Sequence, residues 1–346
     1  MVRSQRAPPS RSPPGEARGA WHVHTTRSDG RGTLAEVVAA AREAGLQFVV
    51  VTDHNVRTGD VEGYHDGVLV VEGVEASTRY GHVVALGVPR PLTPGEREGD
   101  PLGAIAALGG QAVLAHPLHP RRPFGGWGSG PWRGFEIVSN DTAWHALVHG
   151  HDWGKAAWAA ALLPWDRARA VLALADDPQD ERSRFDAELR EARARGERGP
   201  ARVLLCSADA HGYPSYRAAF EAFSMHLPVA LTGDPGADAR VVSAALLDGR
   251  AACVLDAVAA AANVALARVP GDPAFELSLD APDLSLARFT LLRDGAPVAQ
   301  AAPAVRAGRA VVRLSCAGGA CGPGDYRVEG AWDGRPWIFT NPVTIE

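Results

Sequence analysis

The chain has 346 residues, of which 46% are apolar and 22% are charged, a composition typical of a folded protein with a sizeable core. This length suggests two domains. The formal net charge of −5 provides no basic surface of the kind that nucleic-acid scaffolds carry, so we do not expect a dedicated nucleic-acid role. No apolar run is long enough to span a bilayer, and we expect no membrane segment.

The first segment, residues 1–20, is rich in Pro, Arg, Ser and Gly. Because it lacks the apolar stretch of a signal peptide, we predict a flexible leader. A start site placed downstream of a true signal would look the same, so the sequence leaves both a cytoplasmic and an exported protein open.

From residue 21 onward, strand-like and helix-like segments alternate. Residues 21–25 are typical of a strand, and Thr33 with Glu36 has the spacing of a capping box before a helix over 34–44. The run 46–52 (LQFVVVT) is continuously apolar, as in a parallel strand buried on both faces. Further strands are predicted at 68–71, 82–86, 113–116, 135–138 and 203–206, and helices at 101–108 and 182–195. The alternation predicts an α/β fold, and residues 21–262 have about the size of a (β/α) barrel.

Six of the nine tryptophans fall within residues 124–165. This segment is also rich in Gly and interrupts the alternation, so we predict a Trp-rich and helical insertion over 124–200. Two interpretations are equally open, a lid above the functional site or a set of aromatic side chains that cover the barrel. His145 and His149 have the i,i+4 spacing of one helix face, with His151 nearby, so an additional metal site here is a further hypothesis.

After about residue 265, apolar and polar residues alternate between Arg-Asp-Gly and Trp-Asp-Gly turns. We predict an antiparallel β-sandwich domain over 265–346 with a structural or binding role. Of the four cysteines, Cys206 lies in an apolar strand and is expected to be a buried thiol. Cys316 and Cys321 flank a Gly-rich turn and could bridge in an oxidising compartment, which their spacing alone does not decide.

Three clusters that contain histidine lie in or directly after strand-like runs, and they begin at His22, Thr52 and Asp209. Side chains alternate along a strand with a period of two, so the two imidazoles of His22-Val23-His24 point the same way. Imidazoles and carboxylates are the usual ligands of first-row metals, and we therefore predict that distant segments converge on a metal site. The candidate ligands along the chain are His22, His24, Asp29, His54, Glu75, His82, His116, Asp209 and His211.

The motifs around these residues are WHVHTTRSDG, VVVTDHN, VEGVEAS, GHVVALG, VLAHP and LLCSADAHG. Over residues 21–255 they resemble, in content and order, the PHP (polymerase and histidinol phosphatase) family of metal-dependent phosphoesterases. The closing PWIFTNPVTI is similar to the tail of larger members that carry a C-terminal β domain. The resemblance implies a distorted (β/α)7 barrel that holds two to three divalent ions. The types of ligand do not decide whether these ions are Zn, Mn or Fe.

The resemblance also divides the nine candidate ligands among three metals, and every position that the family motifs require is filled. The implied sets are His22, His24 and Asp209 for the first metal, Glu75 as a bridge with His82 and His116 for the second, and Asp29, His54 and His211 for the third.

Two of these assignments have alternatives. Glu72 competes with Glu75 for the bridging position, although Glu75 heads the Glu-Ala-Ser tripeptide as in the family motif. His82 begins an apolar strand and could instead be a packed histidine. Nearby, Asp53 is expected to orient an imidazole, and Glu136 either to support the site or to be structural.

Residues for the substrate are less sharply indicated. Arg121 and Arg122 follow the Ala-His-Pro motif and could contact a second phosphate or a sugar, although a bare arginine pair is more often solvated. A leaving alcohol needs a proton, for which Asp209, His211 and Asp53 are candidates that the sequence cannot rank.

We therefore predict a phosphoesterase in which a metal-bridging hydroxide of a trinuclear site hydrolyses a phosphomonoester or a small nucleotide-type phosphodiester. Two alternatives stay open, a non-catalytic binding module stabilised by metals and a metal-dependent hydrolase of a non-phosphate ester or amide. The expected partner is a small phosphorylated substrate. The sequence names neither that substrate nor the oligomeric state.

Overall fold

The computed structural model describes residues 15–150, 153–174, 177–197, 202–306, 309–316 and 320–346, apart from the side chains of residues 148, 149 and 306. It is a mixed α/β structure with one large sheet and a second, antiparallel sheet. Within the described part of the chain, the strands before residue 260 are Ala17–Val23 (β1), Phe48–Val51 (β2), Gly63–His65 (β3), Val68–Glu72 (β4), Val74–Thr78 (β5), Gly81–Leu86 (β6), Gln111–Leu114 (β7), Gly134–Ser139 (β8), Val203–Ala210 (β9), Ser224–Leu227 (β10) and Ala252–Val254 (β11). The helices are Leu34–Glu43 (α1), Pro94–Glu98 (α2), Pro101–Ala107 (α3), Asn140–Gly150 (α4), Trp153–Leu162 (α5), Arg167–Leu174 (α6), Gln179–Ala194 (α7), Tyr216–Ala222 (α8) and Pro235–Leu247 (α9).

Strand pairing in this region closes a ring. Strand β1 pairs in parallel with β2 and with β9, and β2 pairs in parallel with β4. Strand β5 continues β4 past Gly73 and forms a parallel bridge between His54 and Glu75. Antiparallel β6 joins β5 to β7, and β7, β8 and β9 pair in parallel. Because all of these strands except β6 run the same way, their carboxyl ends meet at one edge of the ring.

Local sequence explains the first elements of the ring. Thr33 caps α1 and forms the predicted capping box with Glu36, each side chain bonding to the other residue's backbone N–H. All four side chains of β2 are buried, as its continuous apolar sequence predicts for a parallel strand covered on both faces. The expectation of an α/β fold is thereby confirmed.

The segment between β8 and β9 holds helices α4 to α7, where the Trp-rich insertion is predicted. The predicted insertion begins before β8, and its tryptophans fall into two groups. Before β8, Trp132 is buried in the core of the strand ring and Trp127 packs against that core, whereas Trp153 and Trp165, after β8, are 69% and 89% exposed. Some of these aromatic side chains therefore cover the core, and others face solvent. The side chains of His149 and His151 lie outside the described residues.

The C-terminal region contributes strands to both sheets. These strands are Ala262–Arg268 (β12), Ala274–Asp280 (β13), Ala287–Arg293 (β14), Ala296–Ala301 (β15), Ala304–Arg306 (β16), Arg309–Ser315 (β17), Gly324–Trp332 (β18), Arg335–Thr340 (β19) and Val343–Ile345 (β20). Strands β12, β13, β16 and β17 form the second sheet, whereas β19 pairs with β11 and extends the large sheet. A separate apolar core that includes Phe275, Phe289 and Trp337 is built from residues of both sheets. Two antiparallel layers thus enclose a core, and one of them is continuous with the sheet of the strand ring.

Two expectations need correction. Strand β1 begins at Ala17, so the last four residues of the predicted leader are part of the strand ring, where they pair with β10 and β2. Cys206 is not a free thiol, because β9 and β11 bring it to a Cα–Cα distance of 5.7 Å from Cys253, and the two form a disulfide. Cys316 and Cys321 also form a disulfide.

Helices that combine the length and the apolar character required to cross a bilayer are absent from the described residues.

Candidate metal centre

The nine candidate ligands meet at one edge of the strand ring. Most of them lie at or just beyond the carboxyl end of a parallel strand, where side chains from neighbouring strands converge. His82 fits the same pattern because β6 is antiparallel and therefore begins where its neighbours end. The backbone is strained at this edge: His22, His116 and Asp209 have φ angles of 67°, 29° and 40°, in the left-handed region.

The first cluster behaves as its spacing predicts. The Nε2 atoms of His22 and His24 are 3.0 Å apart, and both side chains are fully buried. Oδ1 of Asp209 lies 3.6 Å from the former Nε2 atom and 3.5 Å from the latter. These three residues face one point, which is the arrangement expected for the first metal.

Glu75 lies at the centre of the site and is 1% exposed. One of its oxygens, Oε1, is 2.8 Å from His82 Nδ1 and 3.0 Å from His116 Nε2. The other, Oε2, is within 3.2 Å of imidazole nitrogens of three further residues, His22, His24 and His54. A carboxylate shared among five imidazoles suits the predicted bridging role.

A third group lies on the solvent side of this cluster. Asp29 is 55% exposed, and its oxygens are 3.4 Å from His54 Nε2 and from His211 Nε2. The same carboxylate lies 3.5 Å from His24 Nδ1. His211 is oriented for this contact because its Nδ1 atom bonds to the backbone oxygen of Asp209. The structure thus brings all nine candidate ligands together.

The chemistry of this donor set fits bound cations. Glu75 Oε2, His54 Nδ1 and His82 Nδ1 are buried and make no hydrogen bond among the described residues. Buried polar atoms are rarely left unpaired. Here Oε2 of Glu75 lies 3.1 Å from His54 Nδ1, and His82 Nδ1 lies beside the other oxygen of the same carboxylate. Imidazole and carboxylate donors suit Zn, Mn or Fe, so divalent metals would satisfy atoms that no other group satisfies.

Without cations the site holds protons instead. Burial opposes protonation of His24, but its close contacts with the carboxylates of Asp209 and Glu75 outweigh burial and raise its pKa to about 9. Burial also opposes protonation of His116, but this effect is outweighed, mainly by the hydrogen bond to Glu75, and the pKa of His116 is about 9. Burial would raise the pKa of Glu75, yet His22 and its other imidazole neighbours hold that pKa well below its usual value. Metals therefore compete with protons for this site.

Glu136 supports the cluster from behind. Its Oε1 atom accepts hydrogen bonds from Trp21 Nε1 at 2.6 Å and from His22 Nδ1 at 2.8 Å, and its Oε2 atom accepts one from the backbone N–H of His116 at 2.8 Å. The bond to Nδ1 fixes the tautomer of His22 and leaves the Nε2 lone pair free for a metal. Glu136 is therefore a positioning residue.

Glu72, the alternative to Glu75 as the bridging residue, makes its contacts outside the histidine cluster. Glu72 accepts hydrogen bonds from the backbone N–H groups of Thr58 and Gly59 and lies 3.3 Å from Arg27 Nη1. It closes the loop after β2 and has no imidazole among its described partners, so the geometry favours Glu75 as the central carboxylate.

The geometry argues against two of the three candidate proton donors. Asp53 accepts hydrogen bonds from the backbone N–H and hydroxyl of Thr25 and from the hydroxyl of Ser28, so it acts as an acceptor that shapes the loop beneath His24. Asp209 stays ionised, because its imidazole neighbours, first among them His22, outweigh burial and hold its pKa well below the usual range.

The two arginines lie at the rim and are exposed. Nη1 of Arg122 is 3.0 Å from His82 Nε2, so this guanidinium reaches the ligand cluster directly. Arg121 is placed one residue earlier on the same loop.

Sequence reasoning missed three residues. The hydroxyl of Ser139 donates to Asp209 Oδ2 at 3.1 Å, at the end of the strand FEIVS. His119 and Asp141 lie beside His145 next to the main cluster. The repeated His-Pro pair in His116-Pro-Leu-His119-Pro was the available signal for the second histidine.

Comparison with known proteins gives matches over part of the chain. No family model matches the chain. A phosphoribosyl 1,2-cyclic phosphate 1,2-diphosphodiesterase of Eggerthella lenta is 34% identical over 102 residues, which is 27% of this chain and 35% of that protein. An uncharacterized protein of Methanocaldococcus jannaschii is 33% identical over 92 residues, which is 24% of this chain and 52% of that protein. The chain thus spans about half or less of the length of the curated relatives it matches.

Among solved structures, a two-domain protein of Bacteroides vulgatus, described as containing a predicted PHP-like metal-dependent phosphoesterase, has a TM-score of 0.45 at 13% identity and covers 99% of this chain and 100% of its own. A protein of Bifidobacterium adolescentis, described as a metal-dependent phosphoesterase, has a TM-score of 0.33 at 15% identity and covers 60% of this chain and 90% of its own. The resemblance to the PHP family thus continues to depend on the six sequence motifs.

Proposed function

We propose that this PHP-like chain hydrolyses phosphate esters with two to three divalent metals bound at the candidate centre. The observation that carries the proposal is the convergence of five imidazoles on the buried carboxylate of Glu75. Phosphoryl transfer depends mainly on positioning and on neutralising charge at phosphate oxygens. A site that collects cations at the mouth of a strand ring is suited to that task.

The proposed sharing of ligands follows the three groups described above. A trinuclear centre would hold its first metal with His22, His24 and Asp209, and its second with Glu75, His82 and His116. The third metal would be held by Asp29, His54 and His211. Bound divalent ions supply Lewis acidity and lower the pKa of a bound water to about 7. We further propose that the closed strand ring is the distorted (β/α)7 barrel, with β6 as its antiparallel member.

The protein's own residues then prepare the site. Glu136 keeps His22 in the tautomer that presents Nε2, and Ser139 holds the carboxylate of Asp209. Arg122, at the rim beside His82, is placed to contact a phosphate oxygen of the substrate, with Arg121 available for a second polar group.

The proposed substrate is a phosphomonoester or a small nucleotide-type phosphodiester. The name of the Eggerthella relative adds a cyclic phosphate of phosphoribose to the compounds worth testing. The rim is compatible with such small anions, because the guanidinium of Arg122 lies beside a cluster rich in cation ligands.

The proposal is tested by Glu75→Gln, which keeps the shape of the side chain and removes its charge. Purified protein with added Mn²⁺ should release product from an aryl phosphate or a bis-aryl phosphodiester, and Glu75→Gln should reduce that rate at least about 10³-fold, because a bridging carboxylate serves two metals at once.

Glu72→Gln is the matched control, since this glutamate is equally buried, lies three residues away and contacts no ligand imidazole among the described residues. It should retain activity and metal content. Hydrolysis by Glu75→Gln at the rate of Glu72→Gln would refute the proposal.

A further inference from the structure

A second cluster of metal-type side chains lies beside the main centre. Nε2 of His119 is 3.3 Å from Asp141 Oδ2, and the same oxygen is 3.6 Å from Nε2 of His145. Asp141 and His145 stand four residues apart on α4, so one face of that helix presents both. None of the three belongs to the ligand set that the family motifs imply.

The distances within this cluster fit a shared cation. Two donors that are each about 2.0–2.1 Å from a tetrahedral zinc are roughly 3.3–3.4 Å apart, close to the separations found here. Two imidazoles and one carboxylate are a common first-row metal set that leaves positions open for water.

A buried atom points to a ligand at the same place. His119 is 5% exposed, and its Nε2 atom is buried without a hydrogen bond among the described residues. Its contact with Asp141 is close but not aligned as a hydrogen bond, so a cation between the two would satisfy the carboxylate oxygen and, once Nε2 has lost its proton, the imidazole as well.

One feature opposes a cation in the arrangement shown. Nδ1 of His119 accepts backbone N–H groups from Arg121 at 3.1 Å and from Arg122 at 3.2 Å. A neutral ring held in this way carries its proton on Nε2, where a metal would need the lone pair. A metal–imidazole bond stabilises a site far more than two amide contacts on an exposed loop do, so binding would move the proton to Nδ1 and break them.

We propose that His119, Asp141 and His145 form an additional divalent-metal site, separate from the main centre, whose occupation releases the backbone amides of Arg121 and Arg122. The ring of His119 lies 5.3 Å from that of His116, so the added ion would sit at the rim of the main centre. Occupation of this site would therefore change the conformation of the loop that carries Arg121 and Arg122.

The test is metal content after dialysis against Zn²⁺. Wild-type protein and two variants, Asp141→Asn and His145→Gln, are equilibrated at the same free Zn²⁺, and the metal-to-protein ratio is measured by mass spectrometry. We expect each variant to bind one Zn²⁺ per chain fewer than wild type. Equal ratios at saturating Zn²⁺ would overturn the proposal.

A matched control and a second background separate this loss from damage to the main centre. His65→Gln changes a partly buried histidine whose ring bonds to the oxygen of Val61, and it should leave the ratio unchanged. Adding His145→Gln to Glu75→Gln should remove one further Zn²⁺, whether or not the protein hydrolyses phosphate esters. Failure of the proposed hydrolysis would thus leave this result standing.

The proton shift has its own readout. Nitrogen chemical shifts of the His119 ring should report a proton on Nε2 before Zn²⁺ is added and on Nδ1 afterwards in wild type, with no change in His145→Gln. A ring that keeps its proton on Nε2 at saturating Zn²⁺ would show that His119 does not bind the metal and would also overturn the proposal.

Discussion

At the residue scale, the candidate metal centre also depends on side chains that are not themselves candidate ligands. Glu136 holds an imidazole from one strand and a backbone N–H from another, and so ties β1 to the loop after β7. The H-x-H and D-x-H spacings predicted which side chains converge, because the period of a strand is local. The contact of Glu136 with His22 spans 114 positions, and a sequence without its fold does not reveal such a pair.

Glu136→Gln tests this positioning role. The amide nitrogen of Gln would have to face a donor, either His22 Nδ1–H or the N–H of His116, so the imidazole loses its fixed orientation. Metal affinity measured by titration should fall about 10- to 100-fold while the fold is kept. Glu43→Gln, at an exposed glutamate paired with Arg217, should bind metal as wild type does. Unchanged affinity in the Glu136 variant would remove the residue from the site.

The raised pKa values of His24 and His116 predict how the metal-free protein responds to pH. An unfolded histidine has a pKa of about 6.5, whereas these two have pKa values of about 9 in the folded state. The stability they contribute is therefore complete below about pH 6.5 and is lost as the pH rises to about 9. The melting temperature of chelator-treated protein should fall across that interval and change less with Zn²⁺ bound. A chelated protein whose melting temperature rises there would contradict these values.

At the element scale, strand β9 takes part in sheet pairing, in the candidate metal centre and in a disulfide. It pairs with β1 and β8, carries Asp209 next to its last residue and is joined to β11 through Cys206. The sequence predicted the strand from its apolar run but not the disulfide, because Cys206 and Cys253 are 47 positions apart and only the sheet brings them together. Element boundaries also differ: β9 runs to Ala210, four residues beyond the apolar stretch, since pairing with β1 and β8 continues through the polar residues.

The two disulfides should differ in what they contribute. In a chain-entropy account, closing a loop of 47 residues stabilises the fold by roughly 4 kcal/mol and closing one of five residues by roughly 2 kcal/mol. Cys253→Ser should therefore lower the free energy of unfolding more than Cys321→Ser, as measured by urea denaturation. The reverse order would show that β9 does not depend on this brace.

At the scale of the whole molecule, the strand ring and the C-terminal region are not two independent bodies. Strand β19 pairs with β11, and α7 of the insertion meets β18 through a buried ion pair between Asp186 and Arg327. The change in periodicity near residue 265 correctly predicted antiparallel strands. It could not predict that some of them extend the large sheet, because edge pairing depends on which strand edges remain open.

Arg327 offers a test of this coupling. The residue is 2% exposed and bonds to both carboxylate oxygens of Asp186 at 3.0 and 2.7 Å. Arg327→Met leaves that carboxylate buried without its partner and should lower the free energy of unfolding by about 3–5 kcal/mol. Arg90→Met, which breaks an exposed pair with Glu96, should cost at most about 1 kcal/mol. If both changes cost the same in denaturant titration, the buried pair does not hold the two regions together.

The left-handed φ angles at His22, His116 and Asp209 carry a last consequence. Such a conformation costs a histidine roughly 1–2 kcal/mol, whereas glycine adopts it freely. The fold is therefore less stable than it would be with glycine at these positions, and in return the backbone directs these side chains inward. Stability alone would favour glycine at the two histidines, so we attribute these imidazoles to the proposed metal centre and not to the requirements of folding.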